Sequence, residues 1–182
     1  MHRLPDGGQC VGLRRLRTDR VNAGAVDFVT MSMTDSYVFR SEWRLRTDPD
    51  AVYAALVDVA SYPAWWPQVR SARQVDDVSG EIRCRSLLPY DLVFVVRQEV
   101  EDSDGRVLRA RMDGDLAGTS QWTVTADGCG TLAVFDEDVV VRKSLVRVAG
   151  RLARPALRFN HDLMMRSGER GLRDHLLARE VV

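Results

Sequence analysis

The chain is expected to fold as an α+β domain: a curved, seven-stranded antiparallel sheet wrapped around a long C-terminal helix, with two short helices after the first strand. Three observations predict this. A period-two strand over residues 37–46 runs directly into a helix start. Six further strand-like stretches follow with only short turn signals between them, which implies an antiparallel meander. The final stretch, Ser144–Arg179, repeats its apolar and small residues at three- and four-residue steps. A sheet with its helices segregated to one side is α+β architecture, and a seven-stranded sheet twists enough to wrap what covers its concave face.

In chain order, Tyr37, Phe39, Ser41, Trp43 and Leu45 alternate with Val38, Arg40, Glu42, Arg44 and Arg46, a strand with one wet face. Asp48-Pro49 supplies an N-cap and a first helical residue, and Val52, Tyr53, Leu56, Val57 and Ala60 form the stripe that this helix buries. Ser61-Tyr62-Pro63 opens a second short helix, closed by Pro67. Strands are expected near Val69–Asp76, Glu81–Leu88, Asp91–Asp102, Arg106–Asp113, Gly118–Ala126 and Thr131–Arg142. The breaks between them fall at Ser79-Gly80, Pro89, Asp104-Gly105, Gly114–Gly118 and Asp127–Gly130. On the last helix, Leu145, Val148, Leu152, Ala156, Asn160, Leu163, Ser167 and Gly171 form the inward stripe, with His161 on its flank. Pro155 predicts a kink or break there, and Gly168 and Gly171 predict a close approach of the helix to the sheet. Residues 1–35 have no sustained period and read as an irregular or disordered leader before a domain spanning 36–182; Met31 and Met33 offer later start positions.

The 182 residues suffice for one domain with a sizeable core. Lys plus Arg and Asp plus Glu both number 26, so no net field attracts nucleic acid or anionic lipid. No apolar run approaches the roughly 20 residues of a membrane-spanning helix, and no secretory signal is expected. Cys10, Cys84 and Cys129 are odd in number and widely spaced, which fits reduced thiols in a cytoplasmic protein. His2, His161 and His175 form no cluster with them, so no metal site is expected. Dinucleotide, phosphate-loop, serine-hydrolase and zincin motifs are absent, and no cofactor is expected.

Four local signals occur in a fixed order. Asp48-Pro49-Asp50-Ala51-Val52-Tyr53 leads to Tyr62-Pro63-Ala64-Trp65-Trp66-Pro67; Gly114-Asp115-Leu116-Ala117-Gly118 leads to Trp122; Asp127-Gly128-Cys129-Gly130-Thr131 opens the last strand; and Met165–Leu172 lies on the final helix. In this order the chain resembles the START / polyketide cyclase–dehydrase superfamily, also called SRPBCC, over about Tyr37 to Leu177. The resemblance implies the helix-grip fold and a cavity for an apolar ligand. Members bind lipids, sterols, quinones, plant hormones or polyketide intermediates, and some are aromatases or cyclases.

Candidate ligand-binding residues follow from facing. Trp43, Phe94, Trp122 and Phe135 belong to the inner sheet face, as cavity wall or as ordinary core. Trp66 either lines the cavity mouth or, with Trp65, plugs the helix pair. Ala133, Phe135, Glu137, Val139 and Val141 share one face, which Glu137 alone interrupts. With that face inward, Glu137 is a general acid or base or orients a ligand hydroxyl; with Leu132, Val134, Asp136 and Asp138 inward, it lies in water. Asn160 and Met164 are the helix candidates, Asn160 as a hydrogen-bond partner. Strand arginines Arg83, Arg85, Arg97, Arg109 and Arg111 are expected on the solvent face. The leading expectation is binding of a small hydrophobic molecule of polyketide, isoprenoid, fatty acid or quinone type. The alternatives are a cofactor-free aromatase/cyclase or dehydrase, and a partner-binding module with a filled core.

Overall fold

The structure, a computed structural model, describes residues 36–85, 90–142 and 150–180. The leader, Pro89, and the part of the final helix before residue 150 lie outside these residues. Strand β1 (Ser36–Leu45) buries Tyr37, Trp43 and Leu45, half-buries Phe39 and Ser41 on the same face, and exposes the residues that alternate with them. Helix α1 (Pro49–Val57) begins where the Asp48 carboxylate accepts the Asp50 N–H at 2.8 Å. Val52, Tyr53, Ala55 and Leu56 are its buried face. Ala60, expected on this stripe, is exposed, because α1 ends at Val57 and a single 3₁₀ turn, Val59–Ser61, re-aims the chain. Helix α2 (Tyr62–Trp65) follows, and the Tyr62 hydroxyl ties it to α1 by donating to Leu56 O at 2.6 Å.

Six strands complete the sheet: β2 (Val69–Asp76), β3 (Ser79–Cys84), β4 (Leu92–Asp102), β5 (Val107–Gly114), β6 (Leu116–Asp127) and β7 (Gly130–Val141). Their spatial order is β1-β7-β6-β5-β4-β3-β2, antiparallel throughout, with β1 and β2 at the edges. Register shifts in β2–β3 and β4–β5 add the local twist that bends the sheet. Ser79 and Gly80, expected as a break, lie inside β3; the turn falls earlier, where the Asp76 carboxylate accepts the Val78 N–H. The expected gap at 114–118 shrinks to Asp115. Its N–H and carboxylate bond to the Val93 backbone, and its carbonyl accepts from Arg142 N–H, so one residue joins three strands.

Helix α3 (Gly150–Glu180) crosses the concave face and runs unbroken through Pro155. The residues it turns inward are Leu157, Asn160, His161, Met164, Met165, Gly168, Gly171, Leu172 and Leu176, and Ala156 is exposed. The inward stripe is thus rotated from the expected one, although Asn160 and Gly171 belong to both. The reason lies at the glycines. A Cβ on Gly171 would stand 1.7 Å from Trp65 O, and one on Gly168 would stand 2.6 Å from the Trp66 ring. The helix therefore seats closely against α2, and at Gly168 also against Trp43 of the sheet, and these contacts set its rotation. Trp43, Trp65, Trp66, Trp122 and Tyr62 interlock beneath it, with ring centres 4.6–6.5 Å apart.

Candidate functional site

The aromatic cluster fills one end of the space between sheet and helix. At the other end the two do not meet, and a cavity of about 200 Å³ remains. Its floor is the concave face of the sheet, where Phe94, Met112, Trp122, Phe135, Val139 and Val141 all face in. Its roof is α3, through Leu157, Asn160, His161, Met164 and Met165. The alternation of β4 to β7 sends apolar side chains to the concave face and charged ones outward. Arg83, Arg85, Arg97, Arg109 and Arg111 accordingly lie on the exposed side, several of them paired with Asp or Glu. Such exposed pairs contribute little to stability.

Seven of the eight candidate residues meet at this cavity: Trp66, Phe94, Trp122, Phe135, Glu137, Asn160 and Met164. Trp43 does not line it. At 1% exposure it stands behind the wall, packed between Trp65, Trp66 and Trp122. Its position on β1 is level with the tryptophan plug, not with the open end. Trp66 forms cavity wall, and its indole N–H donates to Met164 O at 3.0 Å, pinning the helix.

The β7 register settles the facing of Glu137. It lies on the concave side with Ala133, Phe135, Val139 and Val141, 9% exposed, and its cross-strand neighbours are Phe39 on β1 and Ser120 on β6. All three residues line the cavity. Opposite Glu137 stands His161, which the expected helix stripe leaves on the flank. Its Nε2 is 3.3 Å from Glu137 Oε2. The ring lies face to face with Phe39, centres 3.9 Å apart, and Phe135 stacks more distantly at 6.5 Å. Neither ring nitrogen makes an aligned hydrogen bond among the described residues, so the contact is one of proximity. Sequence reasoning missed this couple because its members are far apart in the chain and on different elements. The spacing Leu157, His161, Met164, Gly168, Leu172 is an equally regular helical stripe and carries the signal.

Other polar groups of the lining are mostly engaged. The Tyr62 hydroxyl is bonded as described, and burial raises its pKa. Asn160 Nδ2 lies 3.7 Å from Met164 Sδ. Burial pushes the Cys84 thiol up to about 12, with the Glu137 charge adding to the effect. Among the described residues no group of three or more His, Cys, Asp or Glu side chains is placed to hold a metal ion. No helix among them is long and apolar enough to cross a membrane.

Solved structures share this architecture. A Thermus thermophilus protein, TTHA0849, superposes with a TM-score of 0.69 at 18% identity, over 79% of this chain and 99% of that one. The ZhuI aromatase/cyclase of Streptomyces sp. R1128 gives 0.67 at 15% identity, over 79% of this chain and 95% of its own. A START superfamily protein of Mycobacterium smegmatis gives 0.61 at 14% identity, over 78% and 97%. At such identities the likeness is one of fold. No curated protein sequence matches the chain. The family model described as polyketide cyclase / dehydrase and lipid transport matches residues 38–176, nearly the whole described region, and the chain belongs to that family.

Proposed function

We infer that the chain binds a small hydrophobic molecule, of polyketide, isoprenoid, fatty acid or quinone type, in the cavity between the sheet and α3. The supporting observation is the apolar hollow of about 200 Å³ left beside a tightly packed aromatic plug. Protein interiors otherwise close to crystal-like density, and an apolar hollow loses contacts until something fills it. A partner-binding module with a filled core does not require such a void. Free thiols at Cys84 and Cys129 fit a reducing compartment and support a cytoplasmic protein. Native mass spectrometry of the purified chain tests the reading: a co-purified small molecule is expected. An apo protein that takes up none of a panel of apolar compounds would end it.

A second reading, a cofactor-free aromatase/cyclase or dehydrase, is favoured by one observation: the Glu137–His161 couple faces the cavity. Such a couple can accept the proton α to a ketone and return a proton to a leaving hydroxyl. Water then departs as the carbon–carbon double bond forms. In this reading Glu137→Gln removes the acidic limb of the pH–rate profile on a ketide substrate. No turnover of any ketide model by the wild-type chain leaves binding as the function.

A further inference from the structure

The geometry points to selection by charge within this cavity: the Glu137–His161 couple favours neutral ligands carrying a hydroxyl and rejects ligands carrying a carboxylate. The inference rests on the ligand-binding reading and narrows it, disfavouring free fatty acids and other acids among the hydrophobic classes. Among the described residues no Lys or Arg lines the cavity. The lining's only basic group among them is His161, and it already stands 3.3 Å from the Glu137 carboxylate. With Glu137 beside the lone imidazole, no described residue of the lining offers a spare cation to an acid. A carboxylate brought into this apolar space would be a buried, unpaired charge beside another carboxylate, the costliest arrangement a lining can present.

A hydroxyl meets the opposite situation. Glu137 uses one oxygen toward His161, and no described hydrogen bond engages either ring nitrogen of His161. The couple therefore presents a carboxylate acceptor to the cavity, beside the Ser120 hydroxyl across the β6–β7 pair, with both ring nitrogens of His161 buried behind it. Phe39 stacks on the imidazole and Phe135 lies nearly parallel to it at 6.5 Å, which limits where the ring can stand. The cavity is of the scale that takes one or two rings, since an apolar void of about 150 Å³ accepts benzene. Two cations stand near this end, Arg154 and Arg158, whose guanidinium carbons lie 5.4 and 5.9 Å from the ring centres of Tyr37 and Phe39; neither residue is part of the lining.

Three probes of one shape separate the terms: naphthalene, 2-naphthol and 2-naphthoate, measured by equilibrium dialysis at pH 7 on the full chain. The expected order is naphthol tightest, by roughly tenfold over naphthalene, with naphthoate weaker than naphthalene by at least about tenfold. In Glu137→Gln, of the same size without the charge, the naphthoate deficit narrows relative to naphthalene measured on the same variant. Naphthoate binding as tightly as naphthol would overturn the inference, and so would equal binding of naphthol and naphthalene. An unchanged deficit in Glu137→Gln, in folded protein by circular dichroism, would also overturn it. Binding of none of the three would bring down the ligand-binding reading itself, and this inference with it.

Discussion

Glu137 and His161 stand together at the cavity, and each depends on the other. A carboxylate 9% exposed on an apolar sheet face needs a partner, and the imidazole stacked on Phe39 is placed to be one. His161→Ala is therefore expected to cost about 3–5 kcal/mol, the penalty for leaving one member of a buried pair alone. Replacing both residues by leucine should cost less than this single change, and urea denaturation of the three proteins checks the order. Cys84 provides a second test. With its pKa near 12 against an ordinary 9.0, the native thiol carries about a thousandfold less thiolate at neutral to mildly basic pH. In a chain where Cys10 and Cys129 are serine, iodoacetamide should leave Cys84 unmodified at pH 8 until the protein unfolds. The linkage has a definite sign. Between pH 9 and about 12 the unfolded chain releases a proton that the folded chain retains, so this group's stabilisation is complete below pH 9 and declines through that window.

At the scale of elements, the contact between α3 and α2 sets the geometry of the roof. Gly171 has no side chain because Trp65 O occupies the space where its Cβ would go. Helix propensity alone favours Gly171→Ala by about 1 kcal/mol. The clash with a backbone oxygen reverses this, and a net loss of about 1–3 kcal/mol or more is expected from overpacking. The urea midpoint measures it, and a stabilised variant would refute the account of why the helix is rotated as it is. Asp48→Ala at the start of α1 removes one capping bond and should cost about 1 kcal/mol, with no change in ligand affinity because α1 carries no residue of the cavity wall.

For the whole molecule, the sheet and α3 close fully at the tryptophan plug and only partly at the Glu137 end. A ligand filling the open end stabilises the native state by mass action. At a hundred times its Kd it adds about 2.7 kcal/mol, or roughly 5–10 °C in Tm for a domain of this size. Thermal melts at rising concentrations of a neutral hydroxylated aromatic check this. A Tm independent of concentration in the range where dialysis shows binding would place the compound elsewhere than in the native cavity.

Local pattern by itself determined the element order. Alternation, caps and turn residues act over two to four positions, so the strands, the first helix and the closing helix were legible in the sequence, as was the family they compose. It also limited the inward face of β7 to two alternatives, one of which put Glu137 inside. Only the tertiary structure decided which face turns in, that Trp43 lies behind the cavity wall, and that His161 meets Glu137. Those outcomes depend on strand register and on the rotation of α3, which contacts between distant residues set, above all Trp65 and Trp66 against Gly168 and Gly171. Periodicity along one helix cannot distinguish two stripes that share Asn160; the tryptophans packed against it can.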